Sequence, residues 1–82
     1  MKRKGLEYKE YPAPDATRSG CKVGWYYYRD RAAADKAAVA AKHNATINVM
    51  LGYDFGFQSP GSICKAEGER AGMWEVCIPK VL

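Results

Sequence analysis

Cysteine is scarce and histidine scarcer: 82 residues hold three of the first and one of the second. An odd count of cysteines without close spacing argues against a secreted disulfide scaffold and for reduced thiols in a cytosol. No apolar run approaches the roughly 18 residues a membrane-spanning helix needs. MKRK leads into Gly5-Leu6-Glu7-Tyr8-Lys9-Glu10, which is no apolar h-region, so a secretory leader is not expected either. The chain also lacks a glycine-rich phosphate loop, HExxH and GxSxG, the local signatures of the commonest catalytic constellations. Three cysteines and His43 make the ligand count of a structural zinc site. Their spacings of 22, 21 and 13 residues contain no CxxC knuckle, so no metal and no cofactor is expected. Cys64 and Cys77 are expected to face each other across a hairpin as a core thiol pair. A non-enzymatic protein is the expectation that follows.

What is present fits one small globular domain over residues 1–82, with 48% hydrophobic and 27% charged residues. A chain of this length buries roughly 63% of its unfolded surface, enough for one thin core, a sheet with a helix on it. The net charge of +4 is uneven. Residues 1–31 carry eight Lys or Arg against four acids, whereas residues 32–82 carry five of each. A basic arm over 1–5 steers toward phosphate or an acidic protein face, or simply keeps the chain soluble.

Leu6 to Tyr11 alternates apolar and charged residues, the period of a half-buried strand, and Pro12 and Pro14 stop it. Residues 12–20 read as a loop. Residues 21–29, centred on Val23-Gly24-Trp25-Tyr26-Tyr27-Tyr28, are rich in strand formers; Val23, Trp25 and Tyr27 are expected to face a helix. Asp30 is a good N-cap, and residues 31–51 hold eight alanines and neither Gly nor Pro. That predicts a helix stopped by Gly52, with Ala33, Ala37, Ala40, Asn44, Ile47 and Leu51 along its buried stripe. The weak point is Thr46-Ile47-Asn48-Val49, where β-branched residues lower the propensity. Residues 52–61 form a glycine-bounded loop with Tyr53, Phe55 and Phe57, and 62–78 a hairpin turning at Gly68–Gly72. The fold class expected is α+β: a small, mainly antiparallel sheet of three to four strands with one long Ala-rich helix packed on one face, in the order β-β-α-β-β. A crossover from strand 22–29 through the helix to strand 63–67 would put one parallel pair in that sheet.

One helix covers one sheet face. The other is expected to carry Tyr26 and Tyr28, an aromatic patch suited to a protein partner. Arg29 flanks it, and Tyr53, Asp54, Phe57 and Gln58 on the loop either extend it or plug the helix end. A second copy of the chain could cover the same face. The alternative ligand is a nucleic acid, held by Lys2, Arg3, Lys4, Lys22 and Arg29 with bases stacked on the tyrosines.

WYYY followed by Arg29-Asp30, the Ala-rich helix reaching KHNA, GYDFGFQSPGSI and the closing WEVCIP resemble small accessory proteins of tailed bacteriophages over about residues 20–79. The resemblance implies a viral accessory protein but no agreed activity, and it transfers no site residues. It implies action in the cytoplasm of an infected bacterium by binding and modulating a host protein, or binding another phage protein. A minor place in the virion is the other possibility it raises.

Overall fold

The alanine-rich stretch is helical as its composition predicts: α1 spans Arg31–Met50. The Asp30 carboxylate accepts from the Ala32 N–H at 3.2 Å, satisfying one of the donors a helix start leaves free. The turns around Thr46-Ile47-Asn48-Val49 stay helical as far as Met50, with side chains bonded back onto them. Thr46 Oγ1 donates to the Lys42 carbonyl and Asn48 Nδ2 to the Asn44 carbonyl, both at 2.9 Å. Gly52 closes the end in the left-handed region, φ +95°. These features come from a computed structural model that describes residues 7–19, 23–52 and 59–79.

The other elements are β1 (Ala16–Ser19), β2 (Val23–Tyr28), β3 (Ile63–Lys65), a 3-10 turn (Gly68–Arg70) and β4 (Trp74–Pro79). They form a four-stranded antiparallel sheet in the order β1-β2-β4-β3. The fold is therefore α+β, one helix on one antiparallel sheet. No parallel pair forms among the described residues. β2 and β3 run the same way, but β4 lies between them. Val76, Cys77 and Ile78 explain this, since they are the most buried residues of β4 and such a strand belongs in the middle.

The first strand is not where the alternation of residues 6–11 puts it. Residues 7–14 are irregular and run beside α1, while β1 lies inside the stretch read as a loop. Two prolines keep the earlier segment out of a ladder. Asn44 takes the place of a strand neighbour: its Oδ1 accepts from the Lys9 N–H at 2.7 Å and its Nδ2 donates to the Lys9 carbonyl at 2.9 Å. After Asp15 no proline intervenes. The Asp15 N–H donates to the Tyr27 carbonyl, and its carboxylate accepts from the Arg29 N–H, both at 2.8 Å.

The faces of β2 are the reverse of the expected ones. Tyr28 packs with Ala34, Ala37, Ala38, Ala41, Val76 and Ile78 in one buried cluster, with Tyr26 partly buried against it. Trp25 and Tyr27 point away from α1. Phenol rings from the sheet fill the space that alanine methyls leave on the helix, so large packs on small. On the helix, Ala37, Ala40, Asn44 and Ile47 are buried as their spacing suggests, but Leu51 is exposed and Ala34, Ala38 and Ala41 complete the face.

β3 starts from Ser59-Pro60-Gly61-Ser62, in which the Ser62 N–H donates to the Ser59 carbonyl at 3.1 Å. Proline and glycine stand at the two central positions, with Gly61 at φ +77°, the requirement of a type II turn. The Gly61 N–H donates to the Cys77 carbonyl and the Cys77 N–H to the Ser62 carbonyl. Two residues thus oppose one, a bulge with glycine in the left-handed position. The bulge brings Gly61 so close to α1 that a Cβ there would lie 2.6 Å from the Ala38 carbonyl oxygen.

Candidate functional site

Of the residues expected to form an uncovered aromatic patch, the structure brings Tyr26 and Tyr28 together, ring centroids 6.4 Å apart, but beneath the helix. Tyr28 is 1% exposed and its hydroxyl donates to the Pro12 carbonyl at 2.8 Å. Burial, reinforced by the neighbouring Tyr26 and Tyr11 hydroxyls and Asp15, pushes that hydroxyl up to about 12. Tyr26 is half-buried, edge-on to Tyr11 at 5.4 Å. A homodimer through an uncovered Tyr26/Tyr28 face loses its premise, because α1 is what covers that face. Arg29 is exposed, at the junction of β2 and α1. Tyr53, Asp54, Phe57 and Gln58, and Lys2, Arg3, Lys4, Lys22 and Cys21, lie outside the described residues.

The sheet face opposite α1 is closed at its centre. Tyr27 and Cys77 are each 3% exposed, and the Arg70 guanidinium lies 4.8 Å from the Tyr27 ring. What remains accessible is half-buried Trp25, with exposed Arg18 opposite it on β1, and exposed Cys64 beside Glu75. Cys64 and Cys77 do not face each other. The register sets Cys64 against Glu75, with Sγ 3.7 Å from the carboxylate, and Cys77 against Trp25. Burial and then the Glu75 charge push the Cys64 thiol up, and burial does the same at Cys77. Raised thiols stay protonated and are poor nucleophiles. His43 Nε2–H donates to the Glu7 carbonyl at 2.8 Å, so its ring holds the N-terminal segment. Among the described residues, no three His, Cys, Asp or Glu side chains gather where they could hold a metal ion. No helix there is long and apolar enough to cross a membrane.

Among the described residues, an accessible concavity lies at the other edge. An open cleft of about 510 Å³ runs between α1 and the start of β3. Ala38, Val39 and Lys42 form its helix wall, and Pro60, Gly61 and Ile63 its sheet wall. Val39 is 54% exposed, a β-branched apolar side chain in water between alanines and charged residues in the first half of the helix; Val49, Met50 and Leu51 are exposed at its far end. It also borders a shallower groove of about 390 Å³ toward Lys9 and Lys36, so it stands as a ridge between two hollows. At the N-terminal mouth, Arg31 is held by Asp35 at 3.0 Å and lies 4.3 Å above the Trp74 ring. Lys65, on β3 beyond the cleft, is 5.8 Å from the same ring. Lys42 and Lys65 meet no carboxylate among the described residues. Among the described residues, the edge of β3 beside the cleft has no strand neighbour. The sequence reading did not single out Val39; the signals for it were a branched residue among the alanines of 37–41 and the Ser-Pro-Gly-Ser turn.

The described residues hold eight Lys or Arg and eight Asp or Glu. The +4 therefore belongs to Lys2, Arg3, Lys4, Lys22 and Lys80 against Asp54. Comparison with protein-family models, curated proteins and solved structures finds no match in any of the three.

Proposed function

We propose that the chain is a non-enzymatic binding domain that engages and modulates another protein. The observation that carries this reading is the cleft between α1 and the open edge of β3, where exposed Val39 stands beside an unpaired strand edge. Apolar surface next to free backbone groups suits a polypeptide ligand better than a small polar substrate. The raised thiols and the bonded His43 ring favour binding over nucleophilic catalysis. In keeping with the resemblance to phage accessory proteins, the partner would be a host protein in an infected bacterium, with a phage protein as the other source. The test is a photocrosslinking amino acid in place of Val39 or, separately, Trp25. Crosslinking to one purified partner from position 39 supports the reading; a chain that crosslinks to no protein from either position refutes it.

A nucleic-acid ligand is the second reading, favoured by Arg18 beside the half-buried indole of Trp25. Phosphate binding draws on net positive charge, and the described surface is neutral, so this ligand would rely on Lys2, Arg3, Lys4 and Lys22 outside the described residues. Oligonucleotide affinity that falls steeply with salt and is lost in Arg18→Ala would turn the choice toward it.

A further inference from the structure

Resting on the protein-binding reading, we infer that the cleft takes an extended, acidic peptide segment of the partner as a fifth strand on the outer edge of β3. The argument begins with the ladder. Cys77 exchanges its backbone bonds with the bulge at Gly61 and Ser62, and the Ala66 N–H donates to the Met73 carbonyl. Hydrogen-bonding direction alternates along an antiparallel strand, so the backbone groups of Cys64 turn inward to Glu75. Those of Ile63 and Lys65 then turn outward, toward the open edge. An added strand would find two N–H and two carbonyl groups presented at the spacing of a strand.

The side-chain walls select the sequence. Ile63 is half-buried and lines the cleft with Ala38 and Val39 across from it, a slot for one branched apolar side chain of the incoming strand. Every second residue of that strand would reach the slot, since side chains alternate. Charge selects the flanks. On the helix side of the edge Asp35 is already paired to Arg31, which leaves Lys42 in the wall and Lys65 on the strand without a carboxylate among the described residues, whereas Glu67 and Glu75 act on Cys64, which faces the other way. Both are positive, so a partner segment with Glu or Asp two positions from its apolar residue, on the same face, is favoured and one with Lys or Arg there is repelled. β3 is only three residues long, which limits the footprint and predicts a modest, rapidly exchanging contact.

The experiment is an amide NMR titration of the ¹⁵N-labelled chain with the synthetic peptide Glu-Thr-Val-Thr-Val-Thr-Glu, whose valines and glutamates share one face. Its twin carries lysine in place of glutamate. The glutamate peptide is expected to shift the amides of Val39, Lys42, Ile63 and Lys65 saturably, and to slow hydrogen exchange at Ile63 and Lys65. The lysine peptide should bind at least about tenfold more weakly. Lys65→Pro removes an outward N–H without removing a ladder bond, and prolines are tolerated at such edge positions. It should abolish binding, while Lys65→Thr, which loses only the charge, should weaken it several-fold. Unchanged amide shifts away from β3 show that each variant is folded. Absence of saturable shifts, shifts confined to the Trp25 face, equal affinity for both peptides, or a dimer through β3 by light scattering would overturn the proposal. Crosslinking of a partner from Trp25 with no peptide binding here would leave the protein-binding reading standing and this site wrong.

Discussion

Replacing Gly61 with alanine asks two separate things of the structure. The residue sits at φ +77°, where a Cβ costs about 1–2 kcal/mol in any L-residue. Gly52, Gly68 and Gly72 have positive φ as well, yet a Cβ on them would meet nothing within 4 Å. They measure the backbone penalty alone. At Gly61 the new methyl would lie 2.6 Å from the Ala38 carbonyl oxygen and 2.6 Å from Lys42 Cγ. The carbonyl is part of a helix and cannot turn aside, so an overpacking cost of about 1–3 kcal/mol adds to the first. Gly61→Ala should therefore cost about 2–5 kcal/mol against about 1–2 kcal/mol for Gly68→Ala. Since a domain of this size loses roughly 4–8 °C of Tm per kcal/mol, the two variants should separate clearly in thermal and urea melts. Lys42→Ala in the Gly61→Ala background removes only the side-chain part of the clash, so it should restore a minor share of the loss. Equal losses for Gly61→Ala and Gly68→Ala, within about 0.5 kcal/mol, would falsify the close approach of the turn to α1 and with it the shape of the cleft.

Asn44→Ala removes both bonds to the Lys9 backbone and the 3.3 Å bond from Nδ2 to the Tyr11 hydroxyl. It should cost about 1–3 kcal/mol and accelerate hydrogen exchange at Lys9; unchanged exchange there would show that the segment is held by something else. Tyr28 titrates near 10 when unfolded and at about 12 when folded. Its neutral hydroxyl thus contributes stability that is complete below about pH 10 and fades as pH rises toward about 12. Tyr28→Phe should lose that alkaline decline, and urea midpoints falling in parallel for both proteins would contradict it. Tyr28→Ala should cost about 3–5 kcal/mol, as a large-to-small change in the core, and Trp25→Ala clearly less because the indole is half-buried. The opposite ranking in urea melts would mean that the faces of β2 are assigned the wrong way round.

Much of the local structure was legible before any coordinates. Asp30, the alanines and Gly52 bound the helix to within a residue, and Gly68–Gly72 marks the turn of the closing hairpin. Of the candidate site, the sequence pointed to aromatics on β2 but not to the cleft. Val39 and Ile63 are 24 positions apart, and nothing in either neighbourhood signals that they meet. Residues 6–11 show how a local pattern misleads: their alternation is real, yet their backbone bonds go to a side-chain amide 35 residues on.

Helix, strands and turns follow from residues close in the chain, because propensity, capping and left-handed glycine are short-range effects. The direction in which each tyrosine of β2 points is a different kind of question. Val23 to Tyr28 holds apolar side chains on both faces, so alternation divides them into two sets without saying which set meets the helix. The choice falls to packing: the alanine face of α1 leaves room for Tyr26 and Tyr28, and Val76 and Ile78 on β4 close around them. The same contacts draw β4 between β2 and β3, and so leave β3 at the edge of the sheet that the described residues form, beside the helix. Short-range chemistry made the pieces; complementary volumes brought together from distant parts of the chain chose how they fit.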